Sequence, residues 1–231
     1  MVYSVKKSTL RKSNFVKLLD IVYEKHSSEY FKSVDYSIKA KLSVIFKFQV
    51  LIKNDCKELE KVWATGFDFS TQGGKFTKIE PKNETFDKLE TELMHDISNN
   101  IDIFSYLVVS FFDILSKYTT FLYDEEIKFQ SFSKQRSWFI KNPEIDKSYA
   151  NFLYRQLGWY DIFKDKRDSM THKLAPLVIP ERKFGMFSVL FCYNQMEDEK
   201  VNVEVFVDHI VKRISEFVEF YGNYFIKKFE K

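Results

Sequence analysis

The chain has 231 residues, of which 45% are hydrophobic and 18% aromatic, and it contains only 6 glycines and 4 prolines. This composition excludes an intrinsically disordered chain, and the scarcity of turn residues argues against an all-β sandwich or a glycine-loop nucleotide-binding fold. The formal net charge of +3 permits contact with nucleic acid but does not require it.

The cellular compartment can be predicted from the cysteines and the apolar segments. Cys56 and Cys192 each lie among apolar neighbours and are expected to be reduced, buried thiols. Residues 1–12 carry lysines without the apolar core of a secretory signal, and Asp102 and Asp113 interrupt the most apolar stretch. We therefore expect a cytoplasmic protein that does not bind membranes.

Two helices and a loop are predicted in the first third of the chain. The first helix spans residues 8–26, where apolar residues recur at helical spacing. The second has Asp35 as its N-cap and ends before Gly66. The polar, glycine-containing stretch from there to Pro81 is expected to be a surface loop.

Residues 83–122 form the longest helical pattern of the chain. The pair Asn99-Asn100 within it leaves open whether the helix kinks, splits or runs through. The periodicity is poor over residues 124–141, which predicts a loop with a short helix around Trp138.

The sequence Asn142-Pro143-Glu144 has the features of a helix start: a capping residue, a proline in the first turn and an acidic side chain near the positive end of the dipole. The helix is expected to continue to Met170. Residues 184–193 then predict a strand that pairs with residues 200–205. The alternative is that the latter segment begins the last helix, whose period is clear from Phe206.

Together these elements predict one all-α domain over residues 1–231. It is an antiparallel bundle of about five helices with a small β-strand or hairpin insertion before the C-terminal helix. His26, His95 and His209 are isolated from further ligands at zinc spacing, so no metal site is expected, and no motif calls for a cofactor.

The stretch Arg167-Asp168-Ser169-Met170-Thr171-His172 is the most informative one for function. An arginine and a histidine stand five positions apart, in a helical pattern that prolines at positions 176 and 180 cut off. It resembles the Arg-x4-6-His motif of HEPN-domain proteins, the helical nucleases of bacterial toxin–antitoxin and abortive-infection systems. The resemblance covers residues 142–231, and the preceding helices only in their general helical character.

The resemblance implies a metal-independent endoribonuclease that acts as a toxin or an antiviral defence effector. In this family the site lies at a homodimer interface, with two copies of the motif facing each other. The expected partners are therefore a second copy of the chain, an RNA substrate, and an antitoxin or other regulatory protein. In some HEPN toxins, a tyrosine two positions after the histidine is modified by a partner nucleotidyltransferase. This chain has Leu174 there, which does not support that mode of silencing.

The residue types suit RNA cleavage without a metal. A base must remove the proton of the ribose 2′-hydroxyl as it attacks the neighbouring phosphate, and histidine titrates near neutrality. A guanidinium matches the phosphate oxygens on which negative charge accumulates. The resemblance implies that Arg167 holds the phosphate and His172 is the acid/base, while Asp168 would orient one of them. The need for a 2′-hydroxyl would restrict the substrate to RNA.

Further cations near the motif are candidate RNA-binding residues: Arg155, Lys164, Lys166 and Lys173. They would extend a track of phosphate contacts beyond Arg167. The alternative is that these cations, with the motif itself, are surface charges that the dipole favours near a helix C-terminus.

Three aromatic residues also lie close to the motif: Trp159, Tyr160 and Phe163. Aromatic side chains can stack on an unstacked RNA base. At helical spacing, however, they more often fill a core or a dimer interface, which is the role we expect here.

A geometric condition applies to the motif. A regular helix places residues five apart roughly 140° from each other around its axis. Arg167 and His172 then meet only if the helix unwinds near Thr171, or if a second protomer supplies the missing half of the site. The alternative function is a non-catalytic helical module that dimerises or binds a protein or RNA partner, with a structural Arg–His pair.

Overall fold

The fold is described from a computed structural model of the chain. It describes residues 13–25, 28–72, 75–123, 129–156, 158–172, 176–183, 185–193 and 199–229. Side chains are described for these residues except at 69–72, 75–80, 156, 171, 172 and 229. None of the helices in these ranges has an apolar segment that could span a bilayer.

The described residues form seven helices and two small antiparallel sheets. The helices are α1 (Asn14–Lys25), α2 (Glu29–Gly66), α3 (Glu84–Phe121), α4 (Phe132–Lys141), α5 (Lys147–Gln156), α6 (Gly158–His172) and α7 (Val203–Phe229). The strands are β1 (Phe67–Gln72), β2 (Lys75–Pro81), β3 (Leu177–Lys183), β4 (Met186–Cys192) and β5 (Val201–Asn202). The mostly helical character and the small sheet before the last helix are confirmed, whereas the predicted number of about five helices is too low and the helices are not arranged as the predicted antiparallel bundle.

The predicted surface loop between Gly66 and Pro81 is instead a hairpin. β1 and β2 pair antiparallel, with Gln72 opposite Lys75 at the closed end. The sequence carries only part of the signal, because Phe-Asp-Phe-Ser alternates apolar and polar residues, whereas Lys-Phe-Thr-Lys-Ile places its two apolar residues three positions apart. The polar residues and glycines of this stretch are equally typical of a loop.

Several helix boundaries differ from the prediction. α2 begins at Glu29, so Asp35 is a buried residue inside the helix rather than its N-cap. α3 runs without a break through Asn99 and Asn100. The short helix around Trp138 is confirmed as α4, and Asn142 ends it by donating its backbone N–H to the Trp138 carbonyl. Asn142 is therefore a C-cap, not the N-cap of the next helix.

The expected helix from residue 142 to Met170 begins later, at Lys147, and is described as α5 and α6 on either side of residue 157, which lies outside the described residues. The N-terminus of α5 is capped by Asp146, whose Oδ1 accepts the backbone N–H of Tyr149 at 3.0 Å. Gly158 is the first residue of α6.

The three-stranded sheet has the order β3-β4-β5. Both alternatives for residues 200–205 hold in part: Val201 and Asn202 lie opposite Phe191 and Leu190, whereas the last helix begins at Val203. β3 was not predicted, because Pro180 was expected to break regular structure. β3 is an edge strand, where a proline need not donate a ladder hydrogen bond.

The chain divides into two compact units, each described by itself. Unit 1 comprises residues 1–43, 108–161 and 211–231. Its core is aromatic: the Phe112 ring lies 4.8–5.1 Å from the rings of Phe132, Tyr160 and Phe217. Gly222 of α7 packs against α1, because a Cβ there would lie 2.3 Å from the backbone nitrogen of Phe15. The close approach of these two helices therefore requires glycine at this position.

Unit 2 comprises residues 44–107 and 162–210. Phe206 is at the centre of its core, with ring centroids 5.0 Å from Phe191, 6.1 Å from Phe163 and 6.3 Å from Phe104. Cys56 and Cys192 are buried free thiols of this unit, as the sequence predicted. Burial raises the pKa of the Cys56 thiol to about 12, so this thiol stays protonated at neutral pH.

Candidate functional site

The Arg–His motif occupies the last turns of α6. Phe163 and Met170 are buried in unit 2, and Arg167 lies between them at helical spacing on the same side of the helix. This placement explains why only 16% of the Arg167 side chain is exposed. The aliphatic part of an arginine can cover an apolar core while its charged end reaches polar neighbours.

Asp168 contacts two cations of the same helix. Arg167 Nε lies 3.2 Å from its Oδ1. Lys164 Nζ donates a hydrogen bond of 2.6 Å to its Oδ2 from one turn earlier. The structure therefore brings Lys164, Arg167 and Asp168 together, with a hydrogen bond from Lys164 to the carboxylate and with Arg167 at ion-pair distance from it.

The helix remains regular through Thr171 and ends at His172. Unwinding near Thr171, one of the two arrangements that would let Arg167 and His172 meet, is therefore not found. The side chain of His172 and all of Lys173 lie outside the described residues.

The other candidate RNA-binding cations differ in their surroundings. Lys166 Nζ lies 3.4 Å from a carboxylate oxygen of Glu199 and 5.0 Å from the centre of the Tyr193 ring. Arg155 is exposed on α5 and belongs to unit 1, whereas the motif belongs to unit 2. Lys166 is thus a partly covered, ion-paired cation, and Arg155 is a surface charge.

The ion pairs around Asp168 are only partly covered. The side chains of Lys164 and Asp168 are 32% and 33% exposed. Pairs of this kind contribute little to stability, typically about 1 kcal/mol or less. A phosphate that offers more oxygen acceptors can therefore replace the carboxylate as the partner of such a cation at small cost.

Sequence reasoning missed a groove in unit 1. It has a volume of about 420 Å³ and is lined by Phe152, Trp159, Arg213, Glu216, Phe217 and Phe220. We call it the α5–α7 groove. Of the three aromatic residues next to the motif, Tyr160 and Phe163 are buried in cores as expected, and Trp159 is half-buried in this groove. No sequence pattern joins residues 152 and 213, so spacing alone did not reveal the groove.

A buried carboxylate of unit 1 was also missed. Asp146 accepts hydrogen bonds from the Tyr123 hydroxyl at 2.7 Å, from Lys228 Nζ at 2.9 Å and from the Tyr224 hydroxyl, besides the Tyr149 backbone. Burial alone would raise the pKa of this carboxyl, but the hydrogen bonds together lower it below its usual value. All of these partners are groups of the protein itself, which indicates that Asp146 has a structural role.

Comparison with known proteins adds no assignment. No protein-family model, curated protein or solved structure matches this chain. Within the described ranges, no three His, Cys, Asp or Glu side chains are grouped as they would be in a metal site.

Proposed function

We propose that the chain is a metal-independent endoribonuclease of HEPN type that acts as a homodimer in a toxin or antiviral defence system. One observation carries the proposal. The Arg167 side chain is held on the covered side of α6 beside Asp168, five positions before the histidine that ends the helix. A guanidinium that is already oriented loses little conformational freedom when it binds a phosphate.

In this proposal, His172 removes the proton of a ribose 2′-hydroxyl. The oxygen attacks the adjacent phosphorus, the bond to the 5′-oxygen breaks, and a proton returns to that leaving oxygen. Arg167 donates hydrogen bonds to the phosphate oxygens on which charge accumulates. The products are a 2′,3′-cyclic phosphate and a free 5′-hydroxyl.

The regular helix supports a site that is shared between two protomers. Positions 167 and 172 point roughly 140° apart around the axis of α6. Each proposed site therefore takes its arginine from one protomer and its histidine from the other, across a two-fold axis. The proposed partners are RNA and an antitoxin or other regulatory protein, and the proposed compartment is the cytoplasm.

The test is cleavage of single-stranded RNA by purified protein in EDTA. The wild type is expected to cut, and His172→Ala is expected to lower the rate by a factor of about 100 or more. His95→Ala, at an exposed histidine of α3, is the matched control and should cut at the wild-type rate. Expression of the wild type should arrest growth of a host cell, and expression of His172→Ala should not. Equal cleavage by the wild type and by His172→Ala would overturn the proposal.

A second function is favoured by the carboxylate partners of the lysines. Lys164 and Lys166 are already paired with Asp168 and Glu199. Ion pairs of this kind also occur on surfaces that have no catalytic role. They favour a helical module that binds RNA or protein without cutting RNA. That function predicts a folded protein that leaves RNA intact in the assay above.

A further inference from the structure

The α5–α7 groove combines flat apolar surfaces with one cation and one carboxylate. The rings of Phe152 and Phe220 stack with their centroids 3.4 Å apart and an interplanar angle of 11°. The Phe152 ring also lies 5.4 Å from that of Phe217, which is almost fully buried. Phe152, Trp159 and Phe220 are each half-buried, so part of their ring surface faces the groove.

The two charged residues of the groove lie one turn apart on α7. Arg213 Nη1 is 3.4 Å from Glu216 Oε2, and Lys212 Nζ is 3.9 Å from Glu216 Oε1. The side chains of Arg213 and Glu216 are 39% and 49% exposed, so both can contact a ligand in the groove. Ion pairs at this exposure are weak, and a ligand with a complementary donor and acceptor can replace them at small cost.

Aromatic surfaces that are bordered by hydrogen-bonding groups are how proteins hold an unstacked nucleobase. A carboxylate accepts two N–H groups side by side, and an arginine donates to carbonyl and ring-nitrogen acceptors. Guanine alone among the four RNA bases offers adjacent N1–H and N2–H donors next to the O6 acceptor. Adenine and cytosine place an unprotonated ring nitrogen beside their amino group, which a carboxylate repels, and uracil has a single N–H between two carbonyls.

We propose that the α5–α7 groove binds a guanine base, with Glu216 accepting hydrogen bonds from its N1–H and N2–H groups and Arg213 donating to O6. The aromatic residues of the groove provide the stacking surface. A volume of about 420 Å³ lies within the range of small-molecule sites. This inference does not depend on the Arg–His motif, and it holds whether or not the chain cleaves RNA.

The first experiment measures binding of the four nucleoside 5′-monophosphates by calorimetry. The chain has 3 tryptophans, so the indole N–H signal of Trp159 in an NMR spectrum provides a local readout. We expect GMP to bind at least about tenfold more tightly than AMP, CMP or UMP, because bidentate hydrogen bonding to a base discriminates against the other bases by at least this factor. GMP should also shift the Trp159 signal. Equal affinities for the four nucleotides, or no binding at millimolar concentrations, would overturn the proposal.

The second experiment tests the two charged residues. Glu216→Gln should reduce the preference for GMP over AMP by about tenfold, because an amide can accept only one of the two N–H groups. Glu219→Gln, at an exposed glutamate of the same helix outside the groove, is the matched control and should keep the preference. An unchanged preference in Glu216→Gln would assign guanine binding elsewhere and overturn the proposal.

The third experiment distinguishes a free nucleotide from a base within a strand. Single-stranded oligodeoxynucleotides cannot be cut by 2′-hydroxyl attack, so their binding is independent of the proposed nuclease activity. Tighter binding of an oligomer with one guanine than of GMP would identify a strand as the ligand, and tighter binding of GMP would identify the free nucleotide. Either outcome supports a guanine site when the oligomer with guanine also binds more tightly than the same oligomer without it, because phosphate contacts are common to both. Equal binding of the two oligomers contradicts a site that reads guanine within a strand, and equal binding together with no preference for GMP contradicts the guanine site itself.

Discussion

Asp146 in unit 1 and Asp168 in unit 2 are both carboxylates that contact cations, yet their surroundings differ. The side chain of Asp146 is 6% exposed, and its partners come from three separate places in the sequence: Tyr123, the backbone of Tyr149, and Tyr224 with Lys228 on α7. The side chain of Asp168 is 33% exposed, and both contacts come from its own helix.

Asp146 therefore belongs to a structural hydrogen-bond network, whereas Asp168 belongs to a group of ion pairs that can exchange partners. Asp146 joins α7 to the start of α5, and it is the buried acceptor that these donors share. Asp168 is a third exposed and pairs with Lys164, which is about equally exposed, and with Arg167, which is largely covered, so water or a phosphate can replace it. We therefore expect substitutions at Asp146 to change stability, and substitutions around Asp168 to change activity.

The largest expected effect is that of Asp146→Ala on stability. The change would leave two partly buried tyrosine hydroxyls and the more exposed Lys228 without their shared acceptor, at a cost of about 3 kcal/mol in the free energy of unfolding. Urea unfolding followed by circular dichroism measures it. Asp20→Ala, at an exposed aspartate of unit 1, is the matched control and should cost less than about 1 kcal/mol. Equal costs for the two variants would show that the Asp146 network is not structural.

The next largest effect is that of Arg167→Lys on RNA cleavage. Lysine keeps the positive charge but lacks the planar fork that binds two phosphate oxygens, so the rate should fall on the order of 100-fold. The midpoint of thermal unfolding should stay close to that of the wild type. If the variant unfolded at a lower temperature than the wild type but still cut RNA at the wild-type rate, the role of Arg167 would be structural instead.

The pH dependence of stability sharpens the contrast. The pKa of Asp146 is lowered in the folded state, and the unfolded value is about 3.9. The unfolded chain therefore binds the proton more readily, so this stabilisation is fully present above about pH 4 and is lost as the pH falls through the folded pKa. The free-energy difference between the wild type and Asp146→Asn should shrink below about pH 4 in urea titrations. A constant difference from pH 7 to pH 3 would contradict this account.

The smallest expected effect is that of Asp168→Asn on stability. Its two ion pairs are partly exposed, so the free energy of unfolding should change by less than about 1 kcal/mol. Cleavage should nevertheless fall about tenfold, in kcat rather than in KM, because Arg167 loses the contact that orients it. A large loss of stability in Asp168→Asn would show that Asp168, like Asp146, has a structural role.

Much of the fold follows from local sequence patterns. The period of α3 holds over its whole length, and its boundaries were predicted to within one residue. The contact between Lys164 and Asp168 is also local, since residues four apart share one side of a helix. Such features need no knowledge of the rest of the chain.

The features that were missed depend on contacts between distant segments. Asp146 is separated by 78 residues from Tyr224 and by 82 from Lys228, and no periodicity connects them. The α5–α7 groove likewise joins helices that are far apart in sequence. β3 was missed because Pro180 is tolerated only on the edge of a sheet, and the edge position becomes known only with the strand order.

Mixing two inactive variants tests most directly whether one site combines Arg167 from one protomer with His172 from the other. Arg167→Ala and His172→Ala should each fail to cut RNA. If the variants exchange subunits in equal amounts, half of the dimers are mixed and one of the two sites in each mixed dimer is complete, so about a quarter of the wild-type activity should return. A mixture that forms mixed dimers but stays inactive would contradict the shared site.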